Sequence, residues 1–261
     1  MSVKRTVPVW RVGPGGPEHV VVEETVVELA LNGRTLVRAS CLPAALADFA
    51  LGFLASEGLI AGPQAVHSID VSPDSTQIAV RADVDPDRLV LFRERVALSS
   101  GCGQGASGAA ERLTRVASDA RFNPQDLLER MKDLERSSTL FRETGGVHAA
   151  ALTDGKSLTA FAEDLGRHNA VDKVIGRSLR EGAPLGGLAL LSTGRVSADV
   201  LAKAARAGIP VVVSHGAATS RAIDLARSAG IAVAGFARGQ KMNVYTSPWR
   251  LGLADAPAPG A

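Results

Sequence analysis

The chain has 261 residues, 46% of them hydrophobic and 21% charged, with a formal net charge of +2. That length supports one large or two modest packed cores, and so small a net charge gives no electrostatic case for nucleic acid or an anionic membrane surface as partner. Cys41 and Cys102 are the two cysteines, too few for a disulfide framework or a zinc set, and no apolar run reaches the ~20 residues of a membrane-spanning helix.

The first stretch, MSVKRTVPVWRVGPGG, is basic but has no apolar h-region, so it does not read as a secretory signal. Residues 1–18 are expected to form a flexible N-terminal segment, and the thiols are expected to stay reduced in the cytoplasm. VVELALNGRTLVRAS follows, with Asn32-Gly33 between two apolar runs. That dipeptide suits the positive φ angles of a type I′ hairpin turn. Pro43 is expected to open a helix, where its missing N–H costs nothing. Leu46, Phe49, Ala50, Phe53 and Leu54 recur at helical spacing as a core stripe. Gly58 is expected to end that helix. Two short strands are predicted near residues 66–71 and 77–80.

The run SSGCGQGASG, residues 99–108, places Cys102 among glycines and serines. Such a segment cannot pack a core, and its backbone can approach a ligand closely. An exposed thiol there is reactive if its pKa is lowered, and Arg93, Arg95 and Arg112 are its cationic neighbours in sequence. Cys41, at the end of a predicted strand, reads as a small buried hydrophobe. A polar helix is predicted over 124–136.

The second half predicts strands at 147–152 and 158–163, then a helix from Arg167 with Ala170, Val171, Val174 and Ile175 on its apolar face. LALLS, IPVVVS and IAVAGF then alternate with helices through VLAKAARAG and SRAIDLARSAG. Continuous apolar strands of this kind are parallel and buried on both faces. The fold expected is α/β: a C-terminal βαβαβ core with a parallel or mixed sheet, preceded by an N-terminal sheet-plus-helix portion. The expected boundaries are 19–120 for the N-terminal portion with the Cys102 loop, 121–251 for the C-terminal portion, and a disordered Ala/Pro-rich tail over 252–261.

A weak internal repeat pairs LLSTGRVSADVLAKAARAG with VVSHGAATSRAIDLARSAG. It puts Ser192-Thr193-Gly194, Ser214-His215-Gly216 and Phe236-Ala237-Arg238-Gly239 just past the carboxyl ends of predicted strands, where open parallel sheets bind ligands. Arg195, Arg238 and Lys241 are candidates for charge-assisted contacts to an anion there. No Walker or GxGxxG motif occurs. His168, at a helix start, and His215, at a strand end, are candidates for anion contact or proton transfer, and His148 lies at a strand edge. No histidine pair has metal-ligand spacing and no HxE…PCxxC signature is present, so no resident metal is expected. Glu57, Glu163 and Asp164 read as ordinary solvated carboxylates at element ends.

Six segments together resemble a known family: ALGFLASEGLI, SSGCGQGASG, RETGGVHAAAL, EDLGRHNAVDKVIG, STGRVSADVLAKAARAGIPVVVSHGAATSRAIDLA and GFARGQKMNVYTSPWR. Between roughly residues 20 and 251 the chain resembles the formate dehydrogenase accessory sulfurtransferases of the FdhD type. The resemblance implies a cytidine-deaminase-like core without the deaminase zinc, and a homodimer. It implies a sulfur carrier that takes sulfane sulfur from a cysteine desulfurase as a persulfide. The sulfur would pass to a molybdenum cofactor, bis-molybdopterin guanine dinucleotide, before insertion into formate dehydrogenase. Cys102 matches the persulfide carrier. Phe236, Ala237, Arg238, Gly239, Gln240 and Lys241 match the segment that contacts the cofactor. The family loop reads C-G-x-C-G, and here Gly105 stands where the second cysteine would be. One alternative is a chaperone of the cofactor without sulfur transfer. Another is a cysteine-dependent hydrolase or acyl transferase pairing Cys102 with His168 or His215.

Overall fold

The computed structural model describes residues 2–99 and 113–254. Cys102 lies outside them, as does most of the tail. Strands β1 (Lys4–Pro8) and β2 (Glu18–Val22) pair antiparallel over five residues. The segment expected to be flexible therefore holds a strand, and Val3 and Val22 pack against Leu42, Leu140 and Val147.

The hairpin of β3 (Thr25–Leu31) and β4 (Arg34–Cys41) turns on Asn32 and Gly33, with φ of 51° and 79°. Both are left-handed, as a type I′ turn requires. The Asn32 side chain also bonds the Ala82 backbone, donating to its carbonyl at 2.9 Å and accepting from its N–H at 3.1 Å. Strands β5 (Val66–Val71) and β6 (Gln77–Ala82) complete a sheet of order β4-β3-β6-β5, with β3 and β6 parallel. One face of it buries Val27, Leu29, Ile78 and Val80 beneath Phe49 and Leu54 of helix α1 (Leu46–Ser56). Pro43 does not open this helix. Leu42 is pinned through its N–H by Asp164 and through its carbonyl by Lys173. The chain then turns through Ala45 at φ 53°, and helical geometry begins at Leu46. Gly58 does end it, at φ 74°.

Helix α2 (Pro86–Ser99) is not among the predicted elements; Phe92, buried, and Leu89, one turn before it, hold it against the first core. Helix α3 (Pro124–Ser137) has Asn123 as its cap, accepting from Gln125 N–H at 2.8 Å. The short helix α4 (Thr139–Thr144) starts against Glu163, whose carboxylate accepts from the Leu140 and Phe141 N–H groups.

The second half is β7 (His148–Thr153), β8 (Leu158–Asp164), α5 (Arg167–Arg180), β9 (Ala189–Ser192), α6 (Ala198–Arg206), β10 (Val211–Ser214), α7 (Ser220–Ala229), β11 (Ala232–Arg238) and β12 (Lys241–Val244). They form a mixed sheet of order β12-β11-β10-β9-β7-β8. β9, β10 and β11 are parallel, as the apolar runs predicted. Alternate residues explain those runs. Ala150, Leu152, Leu190, Val212 and Val233 face α5, α6 and α7. Ala149, Ala151, Leu191, Val213 and Ala234 face α3. Both faces are covered, so both alternations must be apolar. Strand β12 is an antiparallel addition behind a two-residue turn.

Helices α1 and α5 join the two halves at Gly52 and Gly176. A Cβ on Gly52 would stand on the Asp172 carbonyl, 2.7 Å from Gly176 N, and one on Gly176 would stand on the Asp48 carbonyl. Beside this crossing, Lys203 Nζ lies 2.8 Å from Glu57 and 3.0 Å from Asp172, and donates to Ser56 Oγ. Burial opposes the ammonium, but the two carboxylates outweigh it and hold its pKa above the usual lysine value. Asp164, fully buried, accepts from Leu42 N–H, Gly166 N–H, Asn169 Nδ2 and Lys173 Nζ, the last at 2.5 Å. Glu57 and Asp164 are thus ties across the seam between the halves, not the solvated carboxylates expected. Lys203→Met should cost about 3–5 kcal/mol, since it strands the buried Asp172 carboxylate and leaves half-buried Glu57 with Arg206 alone. Urea unfolding of the purified variant measures it, and a loss below 1 kcal/mol would refute that accounting.

Candidate functional site

The carboxyl ends of β8, β9, β10 and β11 and the amino end of β7 share one edge of the large sheet, as their registers require. The sequence repeat becomes two matched turns on this edge. Ser192 Oγ accepts from Gly194 N–H at 3.1 Å and Ser214 Oγ accepts from Gly216 N–H at 2.9 Å. Ser214 Oγ also donates to the Gly194 carbonyl at 2.5 Å, and Val196 bridges Ala218, so the turns lie side by side. Ser197 and Thr219 then cap α6 and α7, each through its side-chain oxygen. Gly216 permits this approach, because a Cβ there would lie 3.0 Å from the Arg195 backbone.

The third strand end carries Phe236 to Lys241. Phe236 has φ 53° at an irregularity in the β11–β12 pairing, and its ring is 44% exposed. A bulky residue held there in the left-handed region is strained, and strain of that kind collects at ligand sites. Ala237 is buried against the α3 side of the sheet, so only its backbone faces the edge. Arg238 and Lys241 pair across the tight turn formed by Gly239 (φ 60°) and Gln240, and both are exposed. The cofactor-contact residues that the resemblance implies therefore stand together at the edge, next to the serine-glycine turns. Cys102, the expected carrier, lies outside the described residues.

The three histidines are separately engaged. His215 Nε2 sits 2.9 Å from Glu135 of α3, with its pKa lowered by burial against the pull of that carboxylate. His148 Nδ1 is 3.4 Å from the Thr193 hydroxyl, and burial with nearby Arg167 lowers its pKa. His168 Nε2 is 3.4 Å from Ser197 Oγ. Burial, then Arg167 and Lys203, push the His168 pKa down to about 3. It stays neutral at physiological pH. The unfolded chain takes up the proton near pH 6.5 and the folded chain only near 3. Stability is therefore complete above pH 6.5 and falls as pH drops through that window, by at most about 1.4 kcal/mol per unit. His168→Gln should flatten this acid limb in denaturant midpoints measured from pH 7 to 4.5, and an unchanged slope would place the loss elsewhere.

Cys41 is the other thiol. It is fully buried, with Asn169 Nδ2 3.4 Å from its sulfur. Burial, then Asp164, push its pKa up to about 12, so it is not a nucleophile. The reading of Cys41 as a buried hydrophobe holds. Among the described residues no group of three or more His, Cys, Asp or Glu side chains is arranged to hold a metal ion.

Residues 22–252 match the FdhD/NarQ family. The chain belongs to that family. Relatives named sulfur carrier protein FdhD include one from Wolinella succinogenes, 38% identical over 242 residues, covering 90% of this chain and 84% of the relative. Another, from Methanothermobacter thermautotrophicus, is 35% identical over 254 residues and covers 96% of this chain and all of the relative. The crystal structure of a protein described as a formate dehydrogenase accessory protein, from Desulfotalea psychrophila, superposes with a TM-score of 0.79 at 28% identity, covering 96% of this chain and 100% of that one. Sequence reasoning in this FdhD/NarQ member missed Arg167. The aliphatic stem of its side chain runs along Gly194, where a Cβ would come within 2.7 Å of Arg167 Cβ, and its Nε is buried with no hydrogen-bond partner. The available signal was an arginine at a glycine-capped helix start, facing a second glycine one strand away.

Proposed function

We propose that this FdhD/NarQ member is a sulfur carrier for formate dehydrogenase, with Cys102 as its persulfide-bearing residue. The observation that carries this is elimination: the chain has two cysteines, and Cys41 is buried with its thiol held protonated. The relatives' name, sulfur carrier protein, supports it. In the first step the Cys102 thiolate attacks the outer sulfur of a cysteine desulfurase persulfide, and the desulfurase thiolate leaves. In the second step an acceptor attacks the outer sulfur now on Cys102, and the Cys102 thiolate leaves. The acceptor in this reading is the molybdenum cofactor, bis-molybdopterin guanine dinucleotide, held as cargo. Support for a nucleotide at the strand edge comes from its cations, its glycine turns and the exposed Phe236 ring. Gly105 removes the resolving thiol, so sulfur cannot be shed as sulfide with an internal disulfide. The resemblance brings three further parts to this reading: a cytoplasmic homodimer, formate dehydrogenase as client, and a deaminase-like core, the last supported by the mixed sheet with helices on both faces.

The absent second cysteine also favours one other reading, a chaperone that holds the cofactor without moving sulfur. Intact-protein mass spectrometry separates the two. After incubation with a cysteine desulfurase and cysteine, the wild-type chain should gain about 32 Da and Cys102→Ala should not. No adduct on either protein would select the chaperone.

A further inference from the structure

We propose that Arg167 and Arg195 form a phosphoryl-anion site at the end of β9, separate from the Phe236–Lys241 segment at the end of β11. The inference rests on reading this edge as nucleotide-binding, and it names the group held at one end of it.

Many buried or half-buried lysines and arginines of this fold are matched to acids, among them Lys173 with Asp164, Lys203 with Glu57 and Arg206 with Glu57. Arg167 and Arg195 are not. Among the described residues neither side chain has an ion pair or hydrogen bond. They are nonetheless brought together. Arg195 follows Gly194 directly, and the Arg167 side chain lies along Gly194 in space that a Cβ would occupy. Arg167 is thereby fixed in direction, while Arg195 is exposed. The pair costs the fold something: burial, then Arg195, hold the Arg167 pKa below its usual value, and Asp199 offsets this only from a distance.

Beside the pair lie the Thr193 hydroxyl, which accepts from the Ala149 N–H at 2.9 Å and donates to the Ala149 carbonyl at 3.3 Å, and the His148 ring. The Thr193 hydroxyl is within reach of His148, and His148 itself is held neutral. Two adjacent guanidiniums favour an oxyanion of more than one charge, since guanidinium forks match phosphate oxygens and the anion cancels their repulsion. One strand, β10, separates β9 from β11, so the two cationic stations stand roughly 10 Å apart. A nucleotide with its phosphates at one station and its base at the other spans that distance.

The test is isothermal titration of the full chain at low salt with GDP, inorganic pyrophosphate and guanosine. GDP and pyrophosphate should bind, and Arg167→Gln and Arg195→Gln should each weaken both about tenfold or more without affecting guanosine. Arg195 is exposed, so its variant remains informative if Arg167→Gln folds poorly. Unchanged phosphate binding in Arg195→Gln, or no pyrophosphate binding by wild type, overturns the site. If Arg238→Gln weakens GDP while both other variants do not, this site falls and the nucleotide reading stands. If no form binds GDP yet pyrophosphate still depends on the two arginines, the site stands and the nucleotide reading falls.

Discussion

Cys102→Ala is expected to abolish activation of formate dehydrogenase while leaving the thermal midpoint and GDP binding where they are in wild type. The size of the effect follows from there being no substitute thiol. With a pKa of about 12, Cys41 is thiolate in roughly one molecule in 100,000 at pH 7. It is also fully enclosed by the seam between the halves, with Asn169 against its sulfur. Loss should therefore approach completeness, and Cys41→Ala should leave activation unchanged. The measurement is formate-dependent dye reduction by a dehydrogenase matured with each variant. Full activation by Cys102→Ala would remove the carrier role and leave a cofactor chaperone.

Gly176→Ala is expected to be strongly destabilising, although it adds a single methyl group. In an open helix the change would help, because alanine is the better helix former by about 1 kcal/mol. Here the added carbon meets the Asp48 carbonyl of α1, with Gly52 N 2.7 Å away. These are backbone atoms, so no rotamer change relieves the clash and the helices must part. Overpacking of this kind costs about 3 kcal/mol or more. Parting the helices also stretches the Lys203 ties to Glu57 and Asp172. A drop of about 10 °C in the thermal midpoint, or insoluble protein, is the expected result for a chain of this size. A midpoint at or above wild type would mean that the close crossing is not a real constraint.

The contrast between what the sequence shows and what it hides follows from range. The three parallel strands, the Asn32-Gly33 turn and the stripe on α1 are local patterns, each legible within about ten residues. The strand ends with their serine-glycine turns were legible for the same reason, helped by the repeat. Arg167 was not, because its meaning depends on Gly194 across a strand boundary. Asp164 and Glu57 were misread as solvated because their partners, Lys173, Leu42, Lys203 and Arg206, converge only when the two halves dock. Helix α2 escaped because its contiguous Leu89-Val90-Leu91-Phe92 run masks the helical spacing of Leu89, Phe92 and Val96. Pro43 misled because a tertiary contact at Leu42 overrode a local preference for starting a helix.

The glycine crossing also sets an order of events during synthesis. α1 is finished at Ser56, yet the helix it must clasp ends at Arg180. At typical ribosomal speeds of about 5–20 residues per second, the outer face of α1 waits roughly 6–25 s for its partner. During that interval the first sheet can fold under α1, but the Gly52 groove and the buried carboxylate side of the seam stand open to water and to other nascent chains. Slow translation between residues 56 and 180 would lengthen that exposure. A host producing this protein in quantity would therefore gain yield from faster decoding of that stretch, or from a holding chaperone acting on the emerging first half.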